Sequence, residues 1–577
     1  MRVLSIILCL FANTIFANTP SRAVPEAFTG LNYTKAAYAD KAMVSAANPH
    51  AVNAGVAMLE AGGSAIDAAI AVQVMLTLVE PQSSGIGGGA FLIWSDGSDN
   101  NITSYDGRER APKLATPELF LDKNGKPLKW IDAVIGGRSV GAPGVLKMLH
   151  QVHTKHGKLP WKDLFQPTIE LATKGFTVSP RLAKLVSGKF NPGIYQLSEA
   201  KAYFFPNGKA IKQGETLKNL KLAKALTNIA NLGVDAFYKG DIAKNIVAAV
   251  EHAEKSPGLL RLNDLSSYQA TERPVVCSDY NGVEHFNVCS MAPPSSGGLT
   301  VLQILELLEP MKLGNTIDSV DTVHLYTQAA KLAFADRNKY LADGDFVPVP
   351  KVADYLDGDY IASRRLLINK DNDLGKAKAG QIATFDNAYN VDISQPNTTH
   401  ISIIDQYGHA LSMTSSIEMG FGSAVMVDGF LLNNQLTDFS LSPSKNGKLV
   451  ANRVQGGKRP RSSMTPVIVF KDNKVHAVLG SPGGSRIINY VGYALLGLLE
   501  YGLDMQQVVD LARVSNRNGT TSLEKNMSSL SLKQALENKG HKVRMVNMTS
   551  GIHGILKTDK GWQGAADPRR EGTAVGF

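Results

Sequence analysis

The chain is poor in several features that mark particular classes of protein. It has only three cysteines and no HExxH or CxxC pattern, so the commonest zinc and dithiol motifs are missing. Its 60 basic and 51 acidic residues never form a block of five or six like charges. The net charge of +9 therefore favours a soluble or surface-associated protein over one that binds nucleic acid. Every Gly-Lys pair lacks a following Ser or Thr, which excludes a P-loop.

Long apolar runs are also missing beyond the N-terminus. No later run reaches 18 apolar residues, so we expect no stable insertion into a membrane. At the N-terminus, Met1-Arg2 precedes an apolar stretch over residues 3–17 that has the length of a signal-peptide core. Cleavage after Ala17, or as late as Ala23, would also remove Cys9, for which a lipid anchor is the alternative role. The sequence thus predicts a periplasmic or secreted protein.

The composition and the local patterns indicate a packed α/β protein. Hydrophobic residues make up 44% of the chain and charged residues 19%, which is typical of a globular protein. Residues 48–80 predict two buried helices, the first ending at Gly62-Gly63 and the second opened by a capping box of Ser64 and Asp67. The glycine-rich run at 83–91 predicts close packing of backbones. From Thr398 onwards strand patterns dominate, so the C-terminal third is predicted to be strand-rich.

Cys277 and Cys289 flank a predicted hairpin turn near Asn281-Gly282. A two-residue turn at this point would pair positions whose numbers sum to 563, whereas the two cysteines sum to 566. A disulfide between them therefore requires a longer loop. Export would permit a disulfide, and the sequence leaves its presence open.

The tetrapeptide Asn397-Thr398-Thr399-His400 is the strongest candidate for chemistry. A threonine hydroxyl inside an intact chain is a poor nucleophile without a base. If the Asn397–Thr398 bond is cut, Thr398 acquires a free α-amine with an ordinary pKa of about 7.7–8.0. That amine can take the proton from the hydroxyl of the same residue. Taken alone, these four residues are equally compatible with a structural role.

The strands after Thr398 are predicted to place further polar groups beside it. Residues 400–404 and 409–416 flank a three-residue loop in which Gly408 is left-handed, a common hairpin connection. This register puts Thr398 opposite Ser416, with Glu418 on the same face two residues further on. A hydroxyl and a carboxylate in these positions suit cleavage of an amide that carries a cationic group. The alternative is an ordinary solvated strand face.

A glycine turn near the C-terminus is a candidate anion site. Residues 475–480 predict a strand and residues 486–500 a long apolar helix with Ser485 as its N-cap. The peptide N–H groups of Gly483 and Gly484 would then point out of a helix N-terminus and could form an oxyanion hole. Two polar segments add four more candidate side chains: Gln435, Asp438, Ser462 and Ser463.

These motifs together resemble those of the γ-glutamyltransferases (γ-glutamyltranspeptidases), members of the N-terminal-nucleophile hydrolases. The likeness runs from about Ala42 to Phe577 and implies a four-layer αββα sandwich of α/β (α+β) class. It also implies self-cleavage into a large chain, 18–397, and a small chain, 398–577, that form one compact unit. The matching motifs are Ser84-Gly-Ile-Gly-Gly-Gly89, Asp106-Gly-Arg-Glu109, Pro293-Pro-Ser-Ser-Gly-Gly298, Ala335-Asp-Arg337 and Ala566-Asp-Pro-Arg-Arg570.

The resemblance also implies a role for each candidate residue. Thr398 matches the nucleophile, Asn397 the residue before the cut, and Ser416 replaces a threonine that hydrogen-bonds the nucleophile. Thr399 and His400 match supporting positions. The implied reaction transfers a γ-glutamyl group from glutathione or a related donor to water or an amino acceptor, without metal or cofactor. The matches for substrate contacts are Arg108, Ser462 and Ser463 for the α-carboxylate, Gln435 and Asp438 for the α-ammonium, and Gly483 and Gly484 for the oxyanion.

Two departures from the family pattern bear on the donor. Glu418 stands where typical members carry an asparagine that contacts the α-amino group, and Thr437 stands where many have an aspartate. Only 22 residues separate Phe439 from Ser462 and none is tyrosine, which predicts a short or missing lid and an open site. In both respects the sequence resembles the cephalosporin-acylase-like branch of the family, whose members act on glutaryl amides. Three alternatives therefore stay open: a glutaryl-type acylase, a depolymerase of poly-γ-glutamate, and an inactive surface homologue.

Overall fold

The computed structural model describes residues 27–382, 387–389, 397–525 and 527–577. The predicted signal peptide, both of its possible cleavage points and Cys9 lie outside these residues. The described chain forms two seven-stranded sheets that pack face to face, with helices on both outer faces. This arrangement confirms the predicted four-layer αββα sandwich. Within the described ranges, no helix has the length and apolar character needed to cross a membrane.

Both sheets combine strands from the two sides of the Asn397–Thr398 bond, and neighbouring strands are antiparallel throughout. The first sheet has the order Thr573–Gly576, Met43–Ala46, Asn397–Ile404, Ala410–Glu418, Gly89–Ser95, Ile102–Gly107, Thr271–Arg273. The second sheet has the order Ala37–Ala39, Gly561–Ala566, His553–Thr558, Lys474–Gly480, Val467–Lys471, His285–Ser290, Val276–Asn281.

Each sheet buries its outer face under its own set of helices. The longer helices over the first sheet are Pro49–Glu60, Ala65–Val79, Val145–His156, Gln166–Lys174, Pro180–Ser187, Leu220–Leu232 and Asp241–Glu251. Those over the second are Gly297–Leu308, Val320–Tyr340, Gly358–Arg365, Ile487–Leu499, Met505–Asp510 and Leu530–Asn538. Shorter helices are Trp130–Val134, Gly193–Gln196, Ser198–Phe204, Asp235–Tyr238, Leu262–Ser266 and Val352–Tyr355.

Smaller elements lie outside the two main sheets. A three-stranded sheet consists of Val514–Ser515, Thr521–Glu524 and Val543–Val546. Two-stranded pairs join Phe176–Thr177 to Thr216–Leu217, Met426–Val427 to Phe430–Leu431, and Ser444–Lys445 to Lys448–Leu449. The 3₁₀ turns are Gly137–Ser139, Trp161–Phe165, Pro206–Gly208, Gln435–Asp438 and Gly484–Arg486.

The two helices predicted over residues 48–80 form as the sequence indicates. Asn48 caps the first by accepting a hydrogen bond from the His50 N–H. Gly62 follows that helix with φ +86°, a left-handed conformation that glycine adopts without strain. Ser64 and Asp67 form the predicted capping box of the second helix, whose residues are all buried.

The glycine-rich run after these helices packs against neighbouring backbone, as predicted. A Cβ atom on Gly87 would lie 2.2 Å from the carbonyl oxygen of Leu431, and one on Gly88 would lie 2.2 Å from that of Ser416. Side chains are therefore excluded where the run passes the strand that carries Ser416. The run holds that strand in place and does not form a phosphate-binding loop of the dinucleotide type.

The two predicted hairpins are present, and one of them contains a disulfide. The register places Thr398 opposite Ser416, and Gly408 in the loop is left-handed with φ +89°. In the other hairpin, Cys277 lies opposite Cys289 across a loop longer than two residues, and the two cysteines form a disulfide.

Candidate active site

Thr398, Ser416 and the carbonyl of Asn397 form a hydrogen-bonded cluster. The Thr398 hydroxyl donates to the Ser416 Oγ at 3.3 Å, and the Ser416 hydroxyl donates to the Asn397 carbonyl oxygen at 2.8 Å. The Glu418 N–H donates to the same Ser416 Oγ at 2.8 Å. A register shift between Asn397 and Thr398 bends the strand here. Ser416 therefore polarises the carbonyl that precedes Thr398 and lies within hydrogen-bonding distance of the Thr398 hydroxyl.

Arg570 holds the residues on both sides of this carbonyl, a contact that the sequence argument did not assign. Its Nη1 donates at 3.3 Å both to the Asn397 Oδ1 and to the Thr398 carbonyl oxygen. The Asn397 Oδ1 also accepts from the Thr398 N–H at 3.1 Å. The motif that ends at Arg570 is the sequence signal that could have led to it. These contacts restrain the backbone around the Asn397–Thr398 bond.

The glycine turn has a different local structure from the predicted one. Gly483 has φ +136° and Gly484 has φ +60°, so both adopt left-handed conformations that favour glycine. Ser485 is not a helix N-cap: it lies inside the 3₁₀ turn Gly484–Arg486, and the α-helix begins at Ile487. Two consecutive left-handed residues before Ser485 produce the 3₁₀ turn in place of a capped α-helical start. Gly484 lines one pocket together with Thr398, whereas Gly483 lies outside the lining.

The other end of this pocket is charged. Arg108 is buried and its Nη2 forms an ion pair with Asp438. Its guanidinium is oriented by the carbonyl oxygens of Pro460 and Arg461, each at 3.2 Å. Asp438 also accepts from the Gln435 Nε2 at 2.7 Å. Three predicted substrate-binding residues, Arg108, Gln435 and Asp438, therefore meet at one place although Arg108 precedes Asp438 by 330 residues.

Ser462 and Ser463 line the same pocket, and an arginine without an assigned role joins them. Arg337 donates from Nη2 to the Ser463 Oγ at 2.6 Å and from Nε to the Ser296 Oγ at 2.8 Å. The Ser462 Oγ accepts from the Met464 N–H at 3.0 Å. Arg337 thus adds a cation to a pocket that Arg108 and Arg461 also line. Its place in the Ala335-Asp-Arg337 motif was the available signal.

Glu418 is fully buried and does not line the pocket. Its φ of +80° is unusual for a residue other than glycine and turns the chain away after Ser416. The Asn434 amide donates to one carboxyl oxygen, and the other has no hydrogen-bond partner among the described residues. Burial, and then the nearby Asp438 charge, raises the pKa of Glu418 well above its ordinary value. The structure therefore places a proton-holding carboxyl behind Asp438.

Glu109 is a second buried carboxyl at this end. Burial raises the pKa of Glu109 to about 8, although Arg108 Nη1 lies 3.8 Å from it. Within the described part of the chain neither of its carboxyl oxygens accepts a hydrogen bond. The charged end thus holds one ion pair that lines the pocket, Arg108 with Asp438. It also holds two buried acids, Glu109 and Glu418, whose raised pKa values disfavour ionisation.

Thr399 and His400 lie beside the nucleophile candidate without lining the pocket. The His400 Nδ1 is 2.9 Å from the Thr414 Oγ1 and its Nε2 is 3.0 Å from the Ser402 Oγ. Burial lowers the pKa of His400 well below its ordinary value, so the ring is neutral. A neutral imidazole with both nitrogens engaged suits the supporting role predicted for it.

The segment between Phe439 and Ser462 contributes only Arg461 to the pocket lining. The hairpin within it, Ser444–Lys445 and Lys448–Leu449, is solvent-exposed. The segment therefore packs beside the site and does not form a lid across it.

The sandwich and its site define a class of protein. Two stacked antiparallel sheets between helical layers, with a buried threonine near the start of a central strand, form the fold of the N-terminal-nucleophile hydrolases. The sequence profile of the family described as gamma-glutamyltranspeptidase matches residues 51–577.

Similar proteins agree with this class. The glutathione hydrolase proenzyme of Bacillus subtilis (strain 168) is 36% identical over 582 residues, which cover 98% of this chain and 96% of that protein. The proenzyme of the same name from Escherichia coli (strain K12) is 35% identical over 553 residues, covering 92% and 91%. The crystal structure of a cephalosporin acylase from Bacillus halodurans has a TM-score of 0.82 at 26% identity and covers 96% of this chain and 99% of that one. The chain belongs to the γ-glutamyltranspeptidase family and is an enzyme of that type.

Proposed function

We propose that the chain cuts itself between Asn397 and Thr398, leaving a large chain that ends at Asn397 and a small chain of residues 398–577. The Thr398 Oγ attacks the Asn397 carbonyl carbon, the C–N bond breaks, and an ester to Thr398 forms. Breaking that C–N bond frees the α-amine of Thr398, which takes up the hydroxyl proton. Water then hydrolyses the ester and releases the Asn397 carboxylate and the Thr398 hydroxyl. The 2.8 Å hydrogen bond from Ser416 to the Asn397 carbonyl oxygen supports this step, because it withdraws electron density from the carbon under attack.

The mature enzyme would then use Thr398 on a γ-glutamyl amide. The α-amine accepts the hydroxyl proton as the Oγ attacks the γ-carbonyl carbon, and the N–H groups of Gly483 and Gly484 stabilise the oxyanion. The amide C–N bond breaks and the amine leaves with that proton. Water or an acceptor amine next attacks the γ-glutamyl ester and regenerates Thr398. No metal or cofactor enters this cycle.

The observation that carries the choice of donor is the Arg108–Asp438 pair. A guanidinium and a carboxylate side by side at one end of the pocket complement the α-carboxylate and α-ammonium of a γ-glutamyl head group. Ser462 and Ser463 add hydroxyls for the carboxylate, and Gln435 adds an amide for the ammonium. We therefore assign glutathione and related γ-glutamyl compounds as donors.

A glutaryl-type acylase is the second candidate, because the cephalosporin acylase from Bacillus halodurans is similar over nearly the whole chain and the segment 440–461 leaves the pocket uncovered. A glutaryl group has no α-ammonium, so it would offer Asp438 no partner beyond Arg108 and Gln435. Comparing kcat/KM for γ-glutamyl and glutaryl p-nitroanilides separates the two. The proposal expects the γ-glutamyl compound to be preferred at least about tenfold, and a preference for glutaryl would overturn it.

Export completes the proposal. The N-terminal sequence predicts a signal peptide, and the Cys277–Cys289 disulfide suits an oxidising compartment. We place the enzyme in the periplasm or outside the cell, with its two chains associated and with neither nucleic acid nor membrane as partner. An inactive homologue would remain a single chain, so the processing state of protein recovered from a cell-envelope fraction distinguishes it.

A further inference from the structure

A second, larger groove of about 1590 Å³ adjoins the pocket that holds Thr398. Among the residues that the structure describes, its lining includes five cationic side chains and no Asp or Glu. Three of them, Lys376, Lys378 and Lys445, are exposed, and the two arginines are half-buried. The five cations are Lys376, Lys378, Lys445, Arg517 and Arg544.

The groove and the pocket share a wall. Gly484 lines the pocket, and the next residue, Ser485, accepts a hydrogen bond at 2.6 Å from Arg517 Nη1 in the groove. On another side, Arg337 of the pocket donates from Nη1 to the Asn338 Oδ1, at 2.8 Å, and Asn338 lines the groove. The groove therefore meets the pocket at two places, beside Gly484 and beside Arg337.

Four of the five groove cations have no carboxylate partner among the described residues. Within the described part of the chain, Lys376, Lys378, Lys445 and Arg544 form no ion pair. Arg544 is held from Nε by the Ser522 hydroxyl at 2.9 Å, which is a neutral partner. Such an accumulation of one charge creates a positive potential that attracts an anion.

Arg486 beneath the groove repeats this pattern at a buried position. It is only 4% exposed, and among the described residues its Nε and Nη2 have no hydrogen-bond partner. Burial, and then the charges of Arg517 and Arg544, lowers the pKa of Arg486 to about 9. Three guanidinium groups therefore lie close enough to repel one another. Two buried guanidinium nitrogens without a hydrogen-bond partner are a second and independent indication of an anionic ligand.

We propose that this groove is the subsite for the amine half of the substrate, as leaving group or acceptor, and that it selects peptides carrying two or more carboxylates. The inference rests on the proposed function, because the γ-glutamyl head occupies the Arg108–Asp438 end and its amide carbonyl lies at Thr398. The remainder of the donor then extends past Gly484 into the cations. Lys376, Lys445 and Arg544 determine specificity by binding carboxylates and do not take part in bond breaking.

Binding of an acidic peptide tests the groove without requiring activity. Isothermal titration with α-linked tetra-aspartate is compared between the purified enzyme and the variant Lys376→Gln/Lys445→Gln. The control Lys209→Gln/Lys224→Gln removes the same charge from two exposed lysines that do not line the groove. We expect about tenfold weaker binding in the groove variant, unchanged binding in the control, and weaker binding at high salt in all three proteins. Equal affinities in both variants, or no binding to the unmodified enzyme, would overturn the proposal.

A matched pair of donors then connects the groove to catalysis. γ-Glutamyl-Asp-Asp and γ-glutamyl-Asn-Asn amide differ in the charge of the leaving group and share the same head. The groove variant should lose about tenfold in kcat/KM for the acidic donor and less than about twofold for the neutral one. A parallel loss for both donors would refute a role in selecting the leaving group. If neither donor is cleaved while tetra-aspartate still binds, the proposed function is contradicted. The groove would then still be identified as a binding site for acidic peptides.

Discussion

The two ends of the pocket are built in different ways. The hydroxyl end comprises Thr398, Ser416 and Gly484. These three residues are uncharged and come from one hairpin and one glycine turn, and Arg570 contacts the Thr398 carbonyl oxygen. The charged end comprises Arg108, Gln435, Asp438, Glu109 and Glu418, and it collects residues from segments up to 330 positions apart. Backbone register positions the first end, whereas burial and paired charge determine the second.

The difference indicates which properties each end controls. At the hydroxyl end, Ser416 lies within hydrogen-bonding distance of both the Thr398 hydroxyl and the Asn397 carbonyl oxygen. We therefore expect this end to control the rate at which bonds form and break. At the charged end, we expect the Arg108–Asp438 ion pair to control donor specificity and affinity. Substitutions should therefore affect rate at the first end, and affinity or pH dependence at the second.

Thr398→Ala should have the largest effect. Removing the hydroxyl abolishes self-cleavage and lowers turnover by about 10⁴-fold or more, as loss of a nucleophile does in other covalent hydrolases. Thr399→Ala is the matched control, since the Thr399 hydroxyl is buried beside Thr398 and has no hydrogen-bond partner in the described part of the chain. Gel analysis and p-nitroanilide hydrolysis measure both. Normal processing of Thr398→Ala would eliminate the mechanism.

Ser416→Ala should slow self-cleavage by about 10²-fold, the usual cost of one donor to a developing oxyanion. The variant loses the hydrogen bond to the Asn397 carbonyl and the one to the Thr398 hydroxyl together. Ser416→Thr restores a hydroxyl at the same point and should recover most of the rate. The time course of chain cleavage after cell-free synthesis of each precursor provides the measurement. An unchanged rate in Ser416→Ala would show that the contact is only structural.

Arg108→Lys should act on affinity. Lysine keeps the charge but loses the planar fork that contacts Asp438 and two carbonyl groups, so we expect about a 30-fold rise in KM for γ-glutamyl p-nitroanilide with kcat changed less than about threefold. Self-cleavage should proceed normally, because no substrate carboxylate takes part in it. If kcat falls and KM does not change, the two ends are not separate in function.

Glu109→Gln should produce the smallest effect, visible in the pH dependence of stability. The pKa of Glu109 is raised from 4.5 to about 8 in the folded protein. Between these two values the folded state binds more protons than the unfolded state, so this group lowers stability as pH rises. The variant should therefore gain about 2–4 °C in Tm at pH 9 and little at pH 5. Glu118→Gln, at an exposed position, is the control, and a pH-independent shift would contradict the assignment.

The hydroxyl end was largely predictable because its determinants are local. One left-handed glycine, Gly408, defines the hairpin loop, and the alternation of strand residues then places Ser416 opposite Thr398. The capping box of Ser64 and Asp67 and the αββα layering were predictable for the same reason or from the family motifs. The start of the helix after Gly484 was not predictable in this way. Two successive left-handed residues, Gly483 and Gly484, precede Ser485 and lead into a 3₁₀ turn. The preference of serine for helix N-caps does not anticipate that turn.

The charged end was predictable in four of its five members, all but Glu109, and not in its contacts. Arg108 meets Asp438 across 330 positions, a separation over which no periodic pattern operates. The same holds for two contacts elsewhere in the site, Arg337 with Ser463 across 126 positions and Arg570 with Asn397 across 173. The burial of Glu418 depends on the register shift after Asn397 and on its own positive φ. The register shift and the positive φ depend on how the strands assemble into the sheet. The residues around Glu418 in the sequence do not predict either of them.

N-terminal sequencing of the smaller chain from purified protein tests the central claim most directly. The account predicts two chains on a denaturing gel, with the smaller one beginning Thr398-Thr399-His400 and its mass corresponding to residues 398–577. A single intact chain, or a small chain that begins at Thr399 or elsewhere, would contradict it.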